Sequence, residues 1–365
     1  MSDPAIKAAP GLRATVAALL APGKGILAAD ESLPTIGKRF AALGIPSTEE
    51  NRRTYRELLF TTPGLGESIS GVILFDETMH QHIAGVPMPE VLIRQGIVPG
   101  IKVDLGTTPL PLFLGEKITQ GLDGLRERLV SYRELGARFT KWRAVISVGA
   151  GQPSRAALDA NARNLALFAA LSQEAGLVPV VEPEVLMDGD HTLARGEEVT
   201  TATLSAVFAA LGDHRVVLEQ MLLKTGMVLP GQHCQQPADT AAVAEATVRC
   251  LRRVVPAAVP GIVFLSGGQS EVAATERLNA ICQVGGVPWT LSFSFGRALQ
   301  DSAMKTWRGL PAQRAAAQAA LLHRARCNAL ALQGKYSAAA ERTSGPPDPT
   351  ERTAVEAWEN EGDPN

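Results

Sequence analysis

Four charged side chains stand where the surrounding residues read as core. Lys224 interrupts LEQMLLKTGMVLPG (218–231), Lys102 sits in GIKVDL (100–105), Lys141 in FTKWRAV (139–145) and Glu182 in VPVVEPE (178–184). Burying a charge is costly unless it is paired. Strands end somewhere and polar residues end them, which explains any one of these positions but not the set. Lysines gathered in one pocket repel one another, and burial further disfavours the charged form, so at least one is expected to have a depressed pKa. A free lysine is almost wholly protonated at pH 7; a neutral one attacks carbonyls to form a Schiff base. Carboxylates such as Asp30 and Glu182 then supply the proton transfers that imine formation and carbon–carbon cleavage require.

Bringing these groups together needs a particular set of elements. Short apolar runs recur at 25–30, 71–77, 100–105, 139–145, 178–184, 216–224, 261–268 and 289–295. Each is near-continuous, as expected for strands covered on both faces of a parallel sheet. Between them lie helical spacings. Residues 116–135 carry an apolar stripe of Ile118, Leu122, Leu125, Leu129 and Tyr132, and 155–175 another, with Ser154 as N-cap. Residues 240–255 and 271–284 also read as helices. Eight strands with long crossovers predict an α/β fold of the (β/α)8 TIM barrel type, and the first strand is not followed by G-x-G-x-x-G.

In such a barrel the active site forms at the C-terminal ends of the strands. Those ends carry Asp30, Asp76 with Glu77, Lys102 with Asp104, Lys141 with Arg143, Glu182 with Glu184, Lys224, Ser266, and Arg297 just after the last strand. SGGQS (266–270) places a hydroxyl and two permissive glycines where backbone N–H groups can approach an anion, and FGRA (295–298) adds an arginine suited to phosphate oxygens. The two turns together predict a phosphate site.

The 365 residues are 45% hydrophobic and 20% charged, with a formal charge of -2. This is globular composition, and it gives no reason to expect nucleic acid or a membrane surface as partner. No apolar run reaches the ~18–20 residues of a membrane helix, and Ala14–Ala21 is too short and too closely followed by another apolar run to read as a signal peptide. Cys234, Cys250, Cys282 and Cys327 lack C-x-x-C spacing, which fits a reduced cytoplasmic protein. His80 and His82 form an H-x-H, read as a surface pair rather than a zinc site.

At this point the motifs resemble a family. GILAADES (25–32), TEENRR (48–53), GVILFDET (71–78), GIKVD (100–104), QGLDGL (120–125), KWR (141–143), VEPE (181–184) with DGDH (188–191), LLK (222–224), FLSGGQSE (264–271) and SFSFGRALQ (292–300) are similar, in order and spacing, to class I fructose-1,6-bisphosphate aldolases. The resemblance implies a reversible lyase that cleaves fructose 1,6-bisphosphate to dihydroxyacetone phosphate and glyceraldehyde 3-phosphate, with no cofactor or metal. By position it makes Lys224 the Schiff-base lysine, Glu182 the main acid and base with Glu184 beside it, Asp30 the carboxylate at the C4 hydroxyl, and Lys141 a substrate-holding cation that helps hold the Lys224 pKa down. Lys102 and Arg143 belong to the polar lining. It assigns Ser266, Gly267 and Arg297, with Gly268 and Gly296, to the 1-phosphate, and Ser32, Thr35, Arg39 and Lys102 to the 6-phosphate.

The chain departs from the family's pattern at three places. Leu33-Pro34-Thr35 replaces a common Thr-Gly-Ser, Leu105 stands where many members have lysine, and no tyrosine follows Tyr336, so another group or water is expected to protonate the enamine carbon. The expected organisation is a barrel domain over 1–336 and an acidic, proline-rich tail over 337–365. A homotetramer in the cytoplasm, binding sugar phosphates, is implied. Two rival readings share the fold: a transaldolase-like or single-phosphate Schiff-base enzyme, and a catalytically inactive scaffold.

Overall fold

A computed structural model describes residues 11–342. Eight parallel strands close into a barrel: β1 (Gly25–Ala29), β2 (Ile69–Leu74), β3 (Val98–Lys102), β4 (Phe139–Ile146), β5 (Val178–Val185), β6 (Leu222–Thr225), β7 (Gly261–Phe264) and β8 (Thr290–Phe295). Each strand pairs with the next, and β8 returns to β1. The (β/α)8 expectation holds.

Alternation along the strands sorts the side chains into two cores. Leu27, Val72, Ile101, Trp142, Val181, Leu223 and Ile262 face the surrounding helices. Ile26, Ala28, Ile73, Phe139, Val178, Val180, Leu222 and Val263 fill the barrel. The lower end is plugged by the helix Leu12–Leu19, whose Val16 and Leu19 join the inner cluster. The apolar stretch at 14–21 is thus part of the barrel floor.

The inward rows explain how charges enter a core. On β4 the row that begins with Phe139 continues to Lys141 and Arg143. On β5, Val178 and Val180 lead to Glu182 and Glu184; on β6, Leu222 leads to Lys224. Register then places these positions together. Arg143 is opposite Glu182, and Lys102 opposite Lys141. Leu223 is opposite Val181, so the next residues, Lys224 and Glu182, are neighbours.

Two sequence expectations are corrected. Residues 116–135 are not one helix: Lys117–Thr119 is a strand paired with Thr107–Pro109, and only Leu125–Glu134 is helical. The apolar spacing is genuine, but Gly121 and Gly124 adopt φ of +123° and +63°, which an α-helix does not tolerate. Within 216–224, Leu218–Gln220 forms a 3-10 turn and only the last residues join the barrel. By contrast the helices Arg155–Glu174, Thr240–Val254 and Glu271–Val284 lie where expected, and the Ser154 hydroxyl accepts the Ala157 N–H at 3.1 Å. Of the expected tail, Ala338–Arg342 is a short helix and the rest lies outside the described residues.

Gly100 is a fixed point of this packing. A Cβ there would come within 2.3 Å of the Phe139 ring that fills the barrel floor. Gly100→Ala overpacks a site with no free space and is expected to cost about 1–3 kcal/mol. Urea unfolding should show a lowered midpoint with an unchanged slope.

Candidate active site

The upper end of the barrel opens into a cavity of 520 Å³, within the range typical of small-molecule sites. Its walls include Asp30, Ser32, Thr35, Arg39, Lys102, Lys141, Arg143, Glu182, Glu184, Lys224, Ser266, Gly267, Gly296 and Arg297. Almost every residue singled out from sequence therefore meets in one place. Gly268 stands just behind the wall, with φ of +90°; a Cβ on it would lie 3.5 Å from the Arg297 guanidinium. Asp76 and Glu77 do not reach the cavity. They open the helix Asp76–His80, where Asp76 accepts a hydrogen bond from the Tyr132 hydroxyl and Glu77 binds Arg52.

At the cavity floor the charges form a chain. Lys141 Nζ lies 2.6 Å from Asp30 Oδ2 and 3.2 Å from Glu182 Oε2; Lys224 Nζ lies 3.1 Å from Glu182 Oε1. Lys141, Glu182 and Lys224 are all buried. The expected cluster of mutually repelling lysines is thus modified: carboxylates alternate with the ammonium groups, and Lys102 has its own partner in Asp104 at 3.3 Å. Burial alone would push the Asp30 carboxyl up, but Lys141, Lys224 and Lys102 outweigh it and hold it well below the usual carboxylate range. Burial likewise opposes ionisation of Glu182, and Lys141, Lys224 and Arg143 again prevail. For Lys141 burial favours the neutral amine, yet Asp30 and Glu182 raise its pKa. Two ionised carboxylates and one persistent ammonium therefore surround Lys224.

Cationic and hydroxyl groups mark two parts of the rim. After β7, Ser266 and the left-handed Gly267 (φ +54°) face Gly296 and Arg297, which open the helix Arg297–Trp307 after β8. A helix start with an adjacent arginine suits an anion, and Arg297 makes no ion pair among the described residues. After β1, Ser32 Oγ and Thr35 Oγ1 lie 3.0 Å apart at the start of the helix Leu33–Ala41. Here the expectation for Arg39 needs revision. Its guanidinium is bound to Glu31 and, at 2.9 Å, to Asp301, so it braces the loop after β1 rather than presenting a free charge. Glu31 is held in turn by Arg56 and by the Gln300 amide. Lys38 lines the cavity as well, with no ion pair among the described residues. It was missed in sequence, although its place one turn beyond Thr35 on a helix was the available signal.

The ion chain has a consequence for acid stability. In an unfolded chain Asp and Glu titrate near 3.9 and 4.3, and both Asp30 and Glu182 lie lower in the folded protein. Their contribution is therefore present above about pH 4 and is lost as pH falls through the folded values. Asp30→Asn should destabilise the protein by about 3 kcal/mol at pH 7, because it leaves Lys141 under-compensated. It should also flatten the fall in stability below about pH 4, measured by denaturant melts across pH.

Known proteins are similar to this chain over most of its length. The family model described as fructose-bisphosphate aldolase class-I matches residues 11–349. The chain is 54% identical over 327 residues to a probable fructose-bisphosphate aldolase class 1 of Xanthomonas campestris pv. campestris, covering 89% of this chain and 98% of that one. Over 317 residues it is 55% identical to fructose-bisphosphate aldolase 2 of Caenorhabditis elegans, covering 86% and 87%. Among solved structures, the fructose-bisphosphate aldolase of Plasmodium falciparum, crystallised with TRAP and a small-molecule inhibitor, superposes with a TM-score of 0.88 at 50% identity, covering 89% of this chain and 95% of that one. Barrel, ion chain and similarity over nearly the whole length agree: the chain belongs to the class I fructose-bisphosphate aldolases.

Proposed function

We propose that Lys224 is the amine through which this lyase cleaves fructose 1,6-bisphosphate reversibly, in glycolysis, to dihydroxyacetone phosphate and glyceraldehyde 3-phosphate. The observation that carries the assignment is the Lys224–Glu182 contact of 3.1 Å at the floor of a cavity with anion-binding groups at two parts of its rim. Glu182 accepts a proton from Nζ, the freed amine attacks the C2 carbonyl, and Glu182 returns a proton as the carbinolamine loses water. The iminium then draws the C3–C4 electron pair while Glu182 takes the proton of the C4 hydroxyl, which Asp30 orients. Glyceraldehyde 3-phosphate leaves, the enamine carbon is protonated, and hydrolysis of the imine releases dihydroxyacetone phosphate and regenerates Lys224.

Lys141 keeps a positive charge between Asp30 and Glu182 and so binds substrate hydroxyls. Glu184, bound to Arg143, shapes the adjoining wall. The 1-phosphate falls to Ser266, Gly267, Gly268, Gly296 and Arg297; the 6-phosphate to Ser32, Thr35 and Lys102, with Lys38 added and Arg39 as the brace beneath them. We place the catalytic domain at 1–336 and a tail at 337–365, and propose a cytoplasmic homotetramer. The fully exposed Leu112 and Leu114 supply an apolar surface suited to such an assembly; light scattering on eluted protein tests it.

Borohydride added with dihydroxyacetone phosphate should reduce an imine onto the peptide containing Lys224, and chelators should leave turnover intact. Label on another lysine sinks the assignment. Lys224→Met replaces a buried ammonium by an apolar chain of similar size; it should remain folded by circular dichroism and lose all trapping. Replacing Lys38 and Ser32 by alanine should raise KM for fructose 1,6-bisphosphate at least tenfold and leave fructose 1-phosphate nearly unaffected. Equal losses on both substrates would remove the 6-phosphate assignment and favour a single-phosphate enzyme.

A further inference from the structure

Far from the cavity, two elements bring together a mixed set of donors. His323 and Cys327 lie one turn apart on the helix Arg314–Leu332. The chain then reverses through Gly334 (φ +67°), and the helix Ala338–Arg342 presents Glu341 to that face. Cys327 Sγ is 3.7 Å from His323 Nε2, and His323 Nε2 is 3.8 Å from Glu341 Oε1. One donor atom from each lies within 4.8 Å of the others. The side chains of His323 and Glu341 are 12% and 28% exposed, and Cys327 is buried. We propose that His323, Cys327 and Glu341 bind a zinc-like divalent cation that staples the helix Ala338–Arg342 to the helix Arg314–Leu332.

Geometry and chemistry both support the site. Zinc bonds of about 2.0–2.3 Å at tetrahedral angles separate neighbouring donor atoms by roughly 3.3–3.6 Å; the Cys327–His323 and His323–Glu341 spacings of 3.7 and 3.8 Å need a small contraction, and the Cys327–Glu341 pair, within 4.8 Å, closes by a side-chain adjustment. Thiolate with imidazole selects zinc over the oxygen-seeking magnesium and calcium. The carboxylate is already oriented: Glu341 Oε2 accepts hydrogen bonds from Arg324 and the Tyr336 hydroxyl, leaving Oε1 towards His323. Such outer contacts fix ligand direction in metal sites. Metal binding displaces the thiol proton to solvent, one per cation. A water completes the fourth position. The guanidinium of Arg324 tempers the affinity, and the cation's role is to hold the helix Ala338–Arg342 against the helix Arg314–Leu332.

The test titrates cobalt(II) into the full-length chain after chelator treatment and dialysis. Expected are one cobalt per chain, a thiolate-to-cobalt charge-transfer band, and its loss on adding zinc. Cys327→Ser should abolish the band, and His323→Ala and Glu341→Gln should weaken binding at least tenfold, all three keeping wild-type turnover of fructose 1,6-bisphosphate. No stoichiometric binding at micromolar metal, a band that survives Cys327→Ser, or full affinity in Glu341→Gln would overturn the proposal. Should Cys327→Ser fail to fold, the partly exposed Glu341→Gln decides it alone.

Discussion

Lys141 is the charge on which the site depends. It lies inside the barrel between Asp30 and Glu182, and it lets two carboxylates stay ionised where burial would otherwise neutralise them. Removing it would take away the largest compensating charge of both carboxylates. The strands on either side are held in register so that these atoms meet within about hydrogen-bond distance. Lys224 inherits its surroundings from that balance: it has a carboxylate partner in Glu182 and a fixed positive neighbour beyond it.

The rest of the fold keeps this network dry below and open above. Phe139 fills the floor against Gly71 and Gly100, and Leu19 closes the end from the first helix. One layer higher the same inward rows turn polar. The loops above differ in their contacts. The loop after β1 is tied through Glu31 to Arg39, Arg56 and Gln300, whereas Ser266–Gly268 carries two left-handed glycines.

Much of the site was legible because barrel strands are apolar on both faces, so a charge within one is conspicuous. Lys102, Lys141, Glu182 and Lys224 stood out on that ground alone. Asp76 and Glu77 shared the pattern and misled, because the chain had already turned into a helix and taken them away from the opening. Residues 116–135 misled for a related reason: a stripe at helical spacing says nothing of the glycines between, and Gly121 and Gly124 take backbone angles a helix excludes. His323, Cys327 and Glu341 have no recognisable ligand spacing in the sequence, because the chain reversal near Gly334 is what brings them together.

By itself the sequence determined the barrel, the ordered motifs and the charges set within its strands, since strand periodicity and residue type are local properties. Only the tertiary structure decided which charges compensate which. Arg39 and Lys38 are neighbours in sequence and both line the cavity, and nothing local says that Arg39 is paired with Glu31 and Asp301 while Lys38 makes no ion pair among the described residues. Nor does LLK foretell that Lys224 will share a carboxylate with Lys141, eighty-odd residues earlier on a strand two places away. Pairing of buried charges depends on register and closure, and those exist only once the barrel has formed.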